Sequence, residues 1–250
     1  MNPAELQRIV EAVPFPPPSD ADSHGLLAWG GDLRPERLIA AYAQGIFPWY
    51  EEDPILWFSP DPRALLLPDD LVVNRTLAKS LRRGLYEVRV DTDFEQVIRR
   101  CREVPRPGQD GTWITDDLLA AFVGLHELGF AHSFESWHDG ELVGGVYGMS
   151  LGAAFFGESM FSSRSDASKV ALVALVRQIG AWGFHFLDCQ VYNDHTGSLG
   201  ASDWPREQYL AGLRRALQEP TRRGRWCLEP EVISPAAVVR TTGRPSSGRT

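Results

Sequence analysis

The sequence predicts an α+β protein with a small, loop-rich N-terminal domain at residues 1–62 and a larger domain at residues 63–219, where helices cover a mixed sheet. Three observations support this fold class. The N-terminal part is crowded with proline and aromatic residues, which prevent long regular elements. The rest of the chain alternates between strand and helix patterns. At Asp139-Gly140, two apolar runs meet in a dipeptide that strongly favours a β-hairpin.

The N-terminal domain is predicted to hold one helix between loops. The proline run Pro14–Pro18 favours an extended segment along the surface. Pro35 suits the first turn of a helix and Gly45 suits its end. The apolar stripe between them consists of Leu38, Ile39 and Tyr42. Arg34 precedes the helix and is a poor capping residue.

The larger domain supplies the predicted sheet and its helical cover. Strand patterns occur at Ala64–Leu67, Tyr86–Val90, His132–His138, Glu141–Ser150, Ala153–Phe161 and Phe184–Val191. Helix patterns occur at Thr76–Arg83, Asp93–Arg102, Asp116–Leu128, Ala167–Trp182 and Arg206–Leu217. Thr115 is expected to cap the third of these helices, and Gly129 is expected to end it.

Composition narrows the class of protein. No run approaches the roughly 20 apolar residues of a membrane span, so we expect no membrane association. The net charge of −8 argues weakly against a surface coated in nucleic acid. Three widely spaced cysteines and the absence of a secretory signal pattern predict a cytoplasmic protein without disulfides. Residues 220–250, rich in Arg, Pro, Ser and Gly, predict a partly disordered tail.

The motif LDCQVYND ends a predicted strand with two polar side chains. Residues i and i+2 of a strand share a face and lie about 7 Å apart. Phe184, Phe186, Asp188 and Gln190 are therefore expected on one face. A carboxylate and an amide beyond two phenylalanines predict a polar site at the mouth of an apolar cleft.

The motif FFGESMF presents a second acid among large apolar side chains. The same alternation places Phe156, Glu158 and Met160 on one face. One interpretation is a strand end with Glu158 in solvent or paired with an arginine, since charged groups are usually exposed. The other is a reactive carboxylate beside apolar surface. The same pattern on a second strand gives the two interpretations equal weight, and the sequence leaves both open.

Two tryptophans allow two interpretations each. Trp113, in GTWIT, precedes a capped helix and is either a hydrophobic staple or a platform on which a base stacks. Trp49, in IFPWY, allows the same two interpretations.

One predicted helix is basic and has no acids. Arg75, Lys79, Arg82 and Arg83 fall on roughly one helical face. A solvated helix face is the ordinary explanation of such a run. In an acidic protein, such a face is also a candidate binding surface for the phosphate backbone of a nucleic acid.

Ten motifs, in order between Phe15 and Leu217, resemble those of the bacterial leucyl/phenylalanyl-tRNA–protein transferases. They are GLLAWGGDL, GIFPWY, ILWFSPDPRA, GTWIT, LHELGFAHSFE, LVGGVYG, FFGESMF, ASK, LDCQVYNDHTGSLGA and Pro-Arg-x-x-Tyr. The resemblance implies transfer of leucine or phenylalanine from aminoacyl-tRNA to the N-terminal Arg or Lys of a protein, which marks that protein for N-end rule degradation. It implies a larger domain like the acetyltransferase fold of the GNAT superfamily. It implies no cofactor, since aminoacyl-tRNA is a substrate.

The resemblance also implies residue roles. Asp188 and Gln190 match the catalytic pair, and Asn193 lies in the same motif. Further positions match residues that line the active site, contact the aminoacyl-adenosine, or contact tRNA; these are Glu158, Met160, Val146, Trp49, Trp113 and the helix from Arg75. Val146 stands where some relatives have methionine, and Asp110 stands where Glu is commoner.

The implied reaction is aminolysis of an ester. We expect the Gln190 carbonyl to hold the attacking amine while Asp188 polarises that arrangement. A proton route through the ribose hydroxyl fits the sequence equally well. Glu158 and Asp188 are the expected counter-charges for an acceptor's cation. Phe156 and Met160 are expected to take the leucine or phenylalanine side chain.

Two other functions fit parts of the sequence. An acetyl-CoA-dependent N-acetyltransferase would share the implied fold, but its pyrophosphate loop needs glycines and FSSRSDASK has none. A non-catalytic RNA-binding module needs basic surface, yet has no need of two acids in apolar surroundings.

Overall fold

The computed structural model describes residues 1–104 and 113–233. The α-helices in this part are α1 Pro3–Ala12, α2 Pro35–Ala43, α3 Arg75–Arg83, α4 Phe94–Glu103, α5 Asp116–Glu127, α6 Ala167–Ala181, α7 Asp194–Gly197 and α8 Arg206–Ala216. The strands are β1 Leu26–Trp29, β2 Phe47–Pro48, β3 Leu56–Phe58, β4 Arg63–Leu66, β5 Glu87–Val90, β6 Ala131–His138, β7 Glu141–Leu151, β8 Ala154–Ser162, β9 Phe186–Gln190 and β10 Ser202–Trp204. Asp110, the first two residues of GTWIT and the tail from residue 234 lie outside the described residues.

The strands form one large sheet and one small one. The seven-stranded sheet has the order β10-β4-β9-β8-β7-β6-β5, and the three-stranded sheet has the order β1-β3-β2. In the large sheet β8 and β9 run parallel, while the other neighbours run antiparallel. The α+β class with a mixed sheet is thus confirmed.

The predicted elements of the larger domain are all present, with ends that differ by one or two residues. Asp139 and Gly140 have φ angles of 51° and 80°, as a tight hairpin between β6 and β7 requires. Thr115 caps α5 by accepting a hydrogen bond from the Leu118 amide at 3.2 Å. Gly129, at φ 77°, ends that helix in the left-handed region, as expected.

The N-terminal part contains more regular structure than its sequence predicts. Helix α1 was not expected, although Asn2 and Glu5 form a capping box at its start. Helix α2 begins at Pro35, and Arg34 makes no capping bond. A three-stranded sheet follows, whose strands have only two to four residues and one of which, β2, ends in Pro48. The domain division at residue 62 stays a prediction.

Apolar side chains cover both faces of the large sheet. One cluster joins α2, α4, α5 and α8 to the sheet through residues that include Leu38, Val97, Leu118, Phe156 and Leu213. The other joins α3 and α6 to the opposite face through residues that include Leu77, Val146, Val173, Ile179 and Leu187. The two faces of each strand can therefore be told apart by the cluster that each side chain enters.

Residues 220–233, the first part of the predicted tail, pack on the body of the protein. Trp226 is 3% exposed and stacks on His132, with ring centroids 3.7 Å apart. Its amide donates to Asp91 Oδ2 at 2.8 Å. Burial of the Trp226 indole therefore stabilises a defined conformation of residues 220–233, where the sequence predicts partial disorder. No helix within the described residues is long and apolar enough to cross a membrane.

Candidate active site

A cavity of about 950 Å³ opens beside the ends of β8 and β9. Its wall combines the two strands with the loop after β9 and with Phe47–Trp49 of the N-terminal part. Seven of the residues that the sequence singled out line it; they are Trp49, Trp113, Val146, Glu158, Met160, Gln190 and Asn193. Asp188, Phe156 and the four basic residues of α3 are not among the lining residues described.

A break in the register of β8 aims Glu158 at this cavity. Ser159 pairs with Tyr147 and Gly157 pairs with Gly148, so Glu158 has no partner on β7. Such a bulge adds one residue and reverses the faces beyond it. Phe156 therefore enters the cluster of α2 and α5, while Met160 packs against the cluster of α6. The expected common face of Phe156, Glu158 and Met160 is wrong for this reason.

Glu158 is a partly exposed carboxyl with two donors on one oxygen. The Tyr42 hydroxyl donates to Glu158 Oε1 at 2.7 Å, and Gln190 Nε2 donates to the same oxygen at 3.0 Å. Oε2 makes no hydrogen bond with the described residues. Burial raises the pKa of Glu158 to about 8, and the charge of Asp188 contributes to this rise. The hydrogen bonds from Tyr42 and Gln190 act in the opposite direction and lower the pKa.

A second break in register lies at the end of β9. Ala64 of β4 pairs with Gln190 and Leu65 pairs with Asp188, which leaves Cys189 unpaired. Gln190 has a φ of 62°, an unusual value for a residue with a side chain. Its amide nitrogen faces Glu158, so its carbonyl oxygen remains for a ligand in the cavity.

Asp188 does not face the cavity, contrary to the expectation from strand alternation. It is fully buried and forms a bidentate ion pair with Arg63, with both N–O distances 2.8 Å. The Tyr209 hydroxyl donates to Asp188 Oδ2 and the Gln190 backbone amide donates to Oδ1, each at 2.8 Å. The side chain turns inward because a buried cation and two further donors, the Tyr209 hydroxyl and the Gln190 backbone amide, meet it there.

Arg63 is equally enclosed. It is fully buried between the rings of Phe47 and Tyr209, which lie 4.6 and 4.7 Å from its guanidinium carbon. Burial alone would lower the pKa of Arg63, but the adjacent Asp188 carboxylate raises it above its usual range. The pair therefore carries no net charge toward the cavity.

Sequence reasoning missed Arg63, Tyr42 and Tyr209 as parts of the site. A signal existed for two of them, since Arg63 ends the motif PDPR and Tyr209 is the tyrosine of Pro-Arg-x-x-Tyr. An arginine at the start of a buried strand needs a carboxylate partner. No local sequence pattern could indicate that the partner of Arg63 is Asp188, which lies 125 residues further along the chain.

The two tryptophans lie at different depths in the cavity wall. Trp49 is 40% exposed and Trp113 is 8% exposed. Trp113 packs in the cluster of α5 and also lines the cavity, so its staple and platform interpretations are compatible. Trp49 tilts against Phe58 with ring centroids 5.6 Å apart, which leaves much of the indole open to a ligand.

Two further expectations need revision in detail. Phe156 is fully buried behind Glu158 and meets Tyr42 edge-on at 5.3 Å, so it supports the wall without lining it. Asn193 caps α7 by accepting from the Thr196 amide at 2.9 Å, which occupies its side-chain oxygen.

The basic residues of α3 form a separate exposed surface. Arg75, Lys79, Arg82 and Arg83 are exposed, while Leu77 and Ala78 bury the other side of the helix. Within residues 1–104 and 113–233, none of these four cations has an ion-pair partner.

An apolar cavity with one open carboxyl and one open amide is the kind of site that enzymes of the α+β class use for catalysis. In residues 1–104 and 113–233 no group of His, Cys, Asp and Glu is placed to hold a metal ion. The chain belongs to the leucyl/phenylalanyl-tRNA protein transferase family, whose members are aminoacyltransferases.

Comparisons with known proteins establish this membership. Residues 65–214 match the model of leucyl/phenylalanyl-tRNA protein transferase, and residues 31–61 match that of its N-terminal domain. The leucyl/phenylalanyl-tRNA–protein transferase of Myxococcus xanthus (strain DK1622) is 62% identical over 85% of this chain and 91% of its own. That of Anaeromyxobacter sp. (strain Fw109-5) is 56% identical over 90% and 96%.

Among solved structures, L-PGS from Bacillus licheniformis has a TM-score of 0.37 and 14% identity, over 82% of this chain and 69% of that chain. A similarity of this size supports no conclusion about the present chain.

Proposed function

We propose that the protein transfers leucine or phenylalanine from aminoacyl-tRNA to the N-terminal Arg or Lys of acceptor proteins, and that the cavity beside β8 and β9 is the site of transfer. The observation that carries this proposal is the pairing of Glu158 and Gln190 in a large apolar cavity, on a chain of this family. Its volume of about 950 Å³ is sufficient for an aminoacyl-adenosine.

The donor binds through apolar contacts. Val146 and Met160 face each other across β7 and β8 and form a flexible wall for the leucine or phenylalanine side chain. The exposed indole of Trp49 offers a stacking surface to the adenine base, and Trp113 lines the same cavity. No bound cofactor enters the reaction, because the ester of the aminoacyl-tRNA is already activated.

The acceptor amine is held by Gln190. Because Nε2 is committed to Glu158, the carbonyl oxygen of Gln190 points its lone pairs away from the carboxyl and accepts a hydrogen bond from the amine. The α-amine has a pKa of about 8, so a useful fraction is neutral near pH 7.

Glu158 accepts the proton in the transfer. The neutral amine attacks the ester carbonyl, the C–N bond forms, and the bond from carbon to the ribose oxygen breaks. The proton released by nitrogen moves to Glu158 Oε2 and from there to the ribose oxygen, so no proton is gained or lost overall. A carboxyl with a pKa near 8 suits such a step, since it can both take and return a proton near neutral pH.

Glu158 also explains a preference for cationic acceptors. It is the only acid that lines the cavity among the described residues. An N-terminal Arg or Lys brings a positive charge that lowers the pKa of Glu158 and converts it to the carboxylate that the transfer needs. A neutral N-terminal residue leaves Glu158 protonated near pH 7 and is therefore a poor acceptor.

Asp188 is a positioning residue in this scheme. Its ion pair with Arg63 anchors β9 to β4, and its Oδ1 holds the backbone amide of Gln190. Gln190 can thereby keep the left-handed backbone conformation that directs its side chain into the cavity.

The tRNA and the cellular setting complete the proposal. The exposed cations of α3 contact the phosphate backbone of the tRNA. The reaction takes place in the cytoplasm, where charged tRNA is found, and creates N-termini that direct proteins to N-end rule degradation.

The test is a transfer assay with charged leucyl-tRNA and peptides that differ only in the first residue. We expect peptides that begin with Arg or Lys to gain one leucine. A Gly-initiated peptide should react slowly at pH 7 and gain rate as the pH rises through about 8, where Glu158 ionises without help. Absence of transfer to every peptide would overturn the proposed function, and a thermal shift with acetyl-CoA would favour an acetyltransferase.

A further inference from the structure

A second cavity adjoins the proposed transfer site. It has a volume of about 450 Å³ and lies where the loop after β8 enters helix α6. Arg164, Lys169 and His195 contribute to its wall, together with serines of the loop. Ser162, Ser168 and His195 line both cavities, so the two cavities are direct neighbours.

The charges of this second cavity are unbalanced. Neither Arg164 nor Lys169 forms an ion pair with a residue in the described ranges. The one acid in the wall, Asp166, is engaged elsewhere, because the Ser80 hydroxyl of α3 donates to its Oδ2 at 2.9 Å. Two unpaired cations beside one committed carboxylate give the cavity a positive potential.

His195 adds an unpartnered polar atom at the junction of the two cavities. Its Nε2 is buried and has no hydrogen-bond partner among the residues that the structure describes. Burial lowers the pKa of His195, and the neighbouring charge of Lys169 lowers it further, so the ring is neutral near pH 7. A neutral imidazole with a proton on Nε2 donates a hydrogen bond to an anionic oxygen.

Side chains, more than the backbone amides at the start of α6, supply the donors for an anion in the second cavity. Of the first amides of α6, that of Ala167 already donates to the Arg164 carbonyl and that of Ser168 to Ser162 Oγ. The wall also holds the guanidinium of Arg164, the ammonium of Lys169 and the imidazole of His195.

The second cavity also connects to the basic helix. The Ser80 hydroxyl of α3 donates to Asp166. Tyr86, which follows α3 in the chain, donates its hydroxyl to the Ser165 carbonyl at 2.7 Å. The loop before α6 is thus fastened to α3, which carries Lys79 on its exposed side. These two hydrogen bonds place the second cavity beside the basic helix.

We propose that the second cavity binds the phosphodiester that precedes the terminal adenosine of the aminoacyl-tRNA, through Arg164, Lys169 and His195. This inference rests on the proposed function. With the aminoacyl-adenosine in the large cavity, the nucleic acid strand must leave through a neighbouring opening, and the cationic opening toward α3 suits a phosphate backbone. Arg164 offers a bidentate contact and Lys169 a point charge.

The experiment compares two donor substrates in the double variant Arg164→Ala/Lys169→Ala. One donor is leucyl-adenosine, which has no phosphate; the other is the leucylated trinucleotide CCA. We expect the ratio of kcat/KM for leucyl-CCA to that for leucyl-adenosine to fall about tenfold or more relative to the unaltered protein. The slope of log kcat/KM for leucyl-tRNA against log salt should decrease by about 0.7, as the loss of one neutralised phosphate on a single strand predicts.

Arg214→Ala is the matched control, because it removes an exposed arginine on α8, away from both cavities. It should leave the ratio and the salt slope unchanged. An equal loss with both donors in the double variant would overturn the phosphate site, as would no loss with either. If the unaltered protein transfers from neither donor nor from leucyl-tRNA, the proposed function itself fails, so the two failures are distinct. Thermal unfolding checks that the double variant folds.

Discussion

Two acids stand at the ends of neighbouring strands, and their surroundings give them opposite properties. Asp188 of β9 is fully buried against Arg63, which is itself fully buried. Glu158 of β8 is partly exposed, faces a cavity and has hydroxyl and amide donors instead of a cation. The comparison teaches that the partner of a carboxylate, more than its type or its strand position, decides whether its charge can act on a ligand.

The two acids are also coupled. Gln190 contacts both, through its backbone amide to Asp188 and its side-chain amide to Glu158. The charge of Asp188 raises the pKa of Glu158, after burial, and the charge of Arg63 lowers it. The buried pair therefore acts on the open acid mainly through geometry, which is how a residue outside the cavity can influence the reaction within it.

The largest expected effect comes from breaking the buried pair. Asp188→Ala leaves the guanidinium of Arg63 buried without a counter-charge, and we expect the free energy of unfolding to fall by about 3–5 kcal/mol in urea titrations. The double variant Arg63→Met/Asp188→Leu should regain most of that loss, since neither charge remains. Asp69→Ala, at an exposed acid, should change stability by less than about 0.5 kcal/mol. A loss as small for Asp188→Ala would contradict the role of the pair.

The next effect is on catalysis at Glu158. Glu158→Gln keeps an oxygen that can accept from Tyr42 and Gln190 but cannot take a proton. We expect kcat/KM for leucine transfer to an Arg-initiated peptide to fall about a hundredfold or more, with no loss of stability at pH 7. Glu141→Gln, at an exposed acid on β7, is the control. If kcat/KM falls less than about threefold, Glu158 is not the proton acceptor, and the proton instead passes through the ribose hydroxyl.

A pH dependence of stability follows from the same group. The pKa of Glu158 is raised to about 8 in the folded protein, while the unfolded value is about 4.3. The folded state thus binds more protons between these values, so this group lowers the free energy of unfolding as the pH rises from about 4.5 to about 8. We expect Glu158→Gln to gain stability relative to the unaltered protein across that range. Urea titrations at pH 5, 7 and 9 measure this difference, and a constant difference would contradict the raised pKa.

The smallest effect concerns the backbone of Gln190. At φ 62°, a residue with a side chain costs about 1 kcal/mol more than glycine. Gln190→Gly should therefore be more stable than Gln190→Ala by about that amount. Both should lose transfer activity equally, because both lack the side-chain carbonyl. Different activities in the two variants would mean that backbone conformation, and not the amide group, limits the reaction.

Much of the fold followed from short patterns. The hairpin at Asp139-Gly140, the cap at Thr115 and the strands on either side of the cavity were predictable, because turns, caps and alternation depend on a few consecutive residues. The capping box of α1 was present in the sequence but was overlooked. The acid and amide motifs in β8 and β9 correctly indicated the residues beside which a cavity lies.

The geometry of the site was not predictable in this way. Simple alternation placed Asp188 and Gln190 together in the cleft, and Phe156 with Met160. Breaks in register at Cys189 and Glu158 changed which side chains face the cavity.

The sequence by itself determined which segments become strands and helices, and which of them carry acids, amides and cations. Only the tertiary structure decided that Asp188 pairs with Arg63, 125 residues away, and that Tyr42 reaches Glu158 across 116 residues. The physical reason is that periodicity belongs to neighbouring residues, whereas an ion pair or a bulge depends on how distant strands align and on which buried groups must be paired.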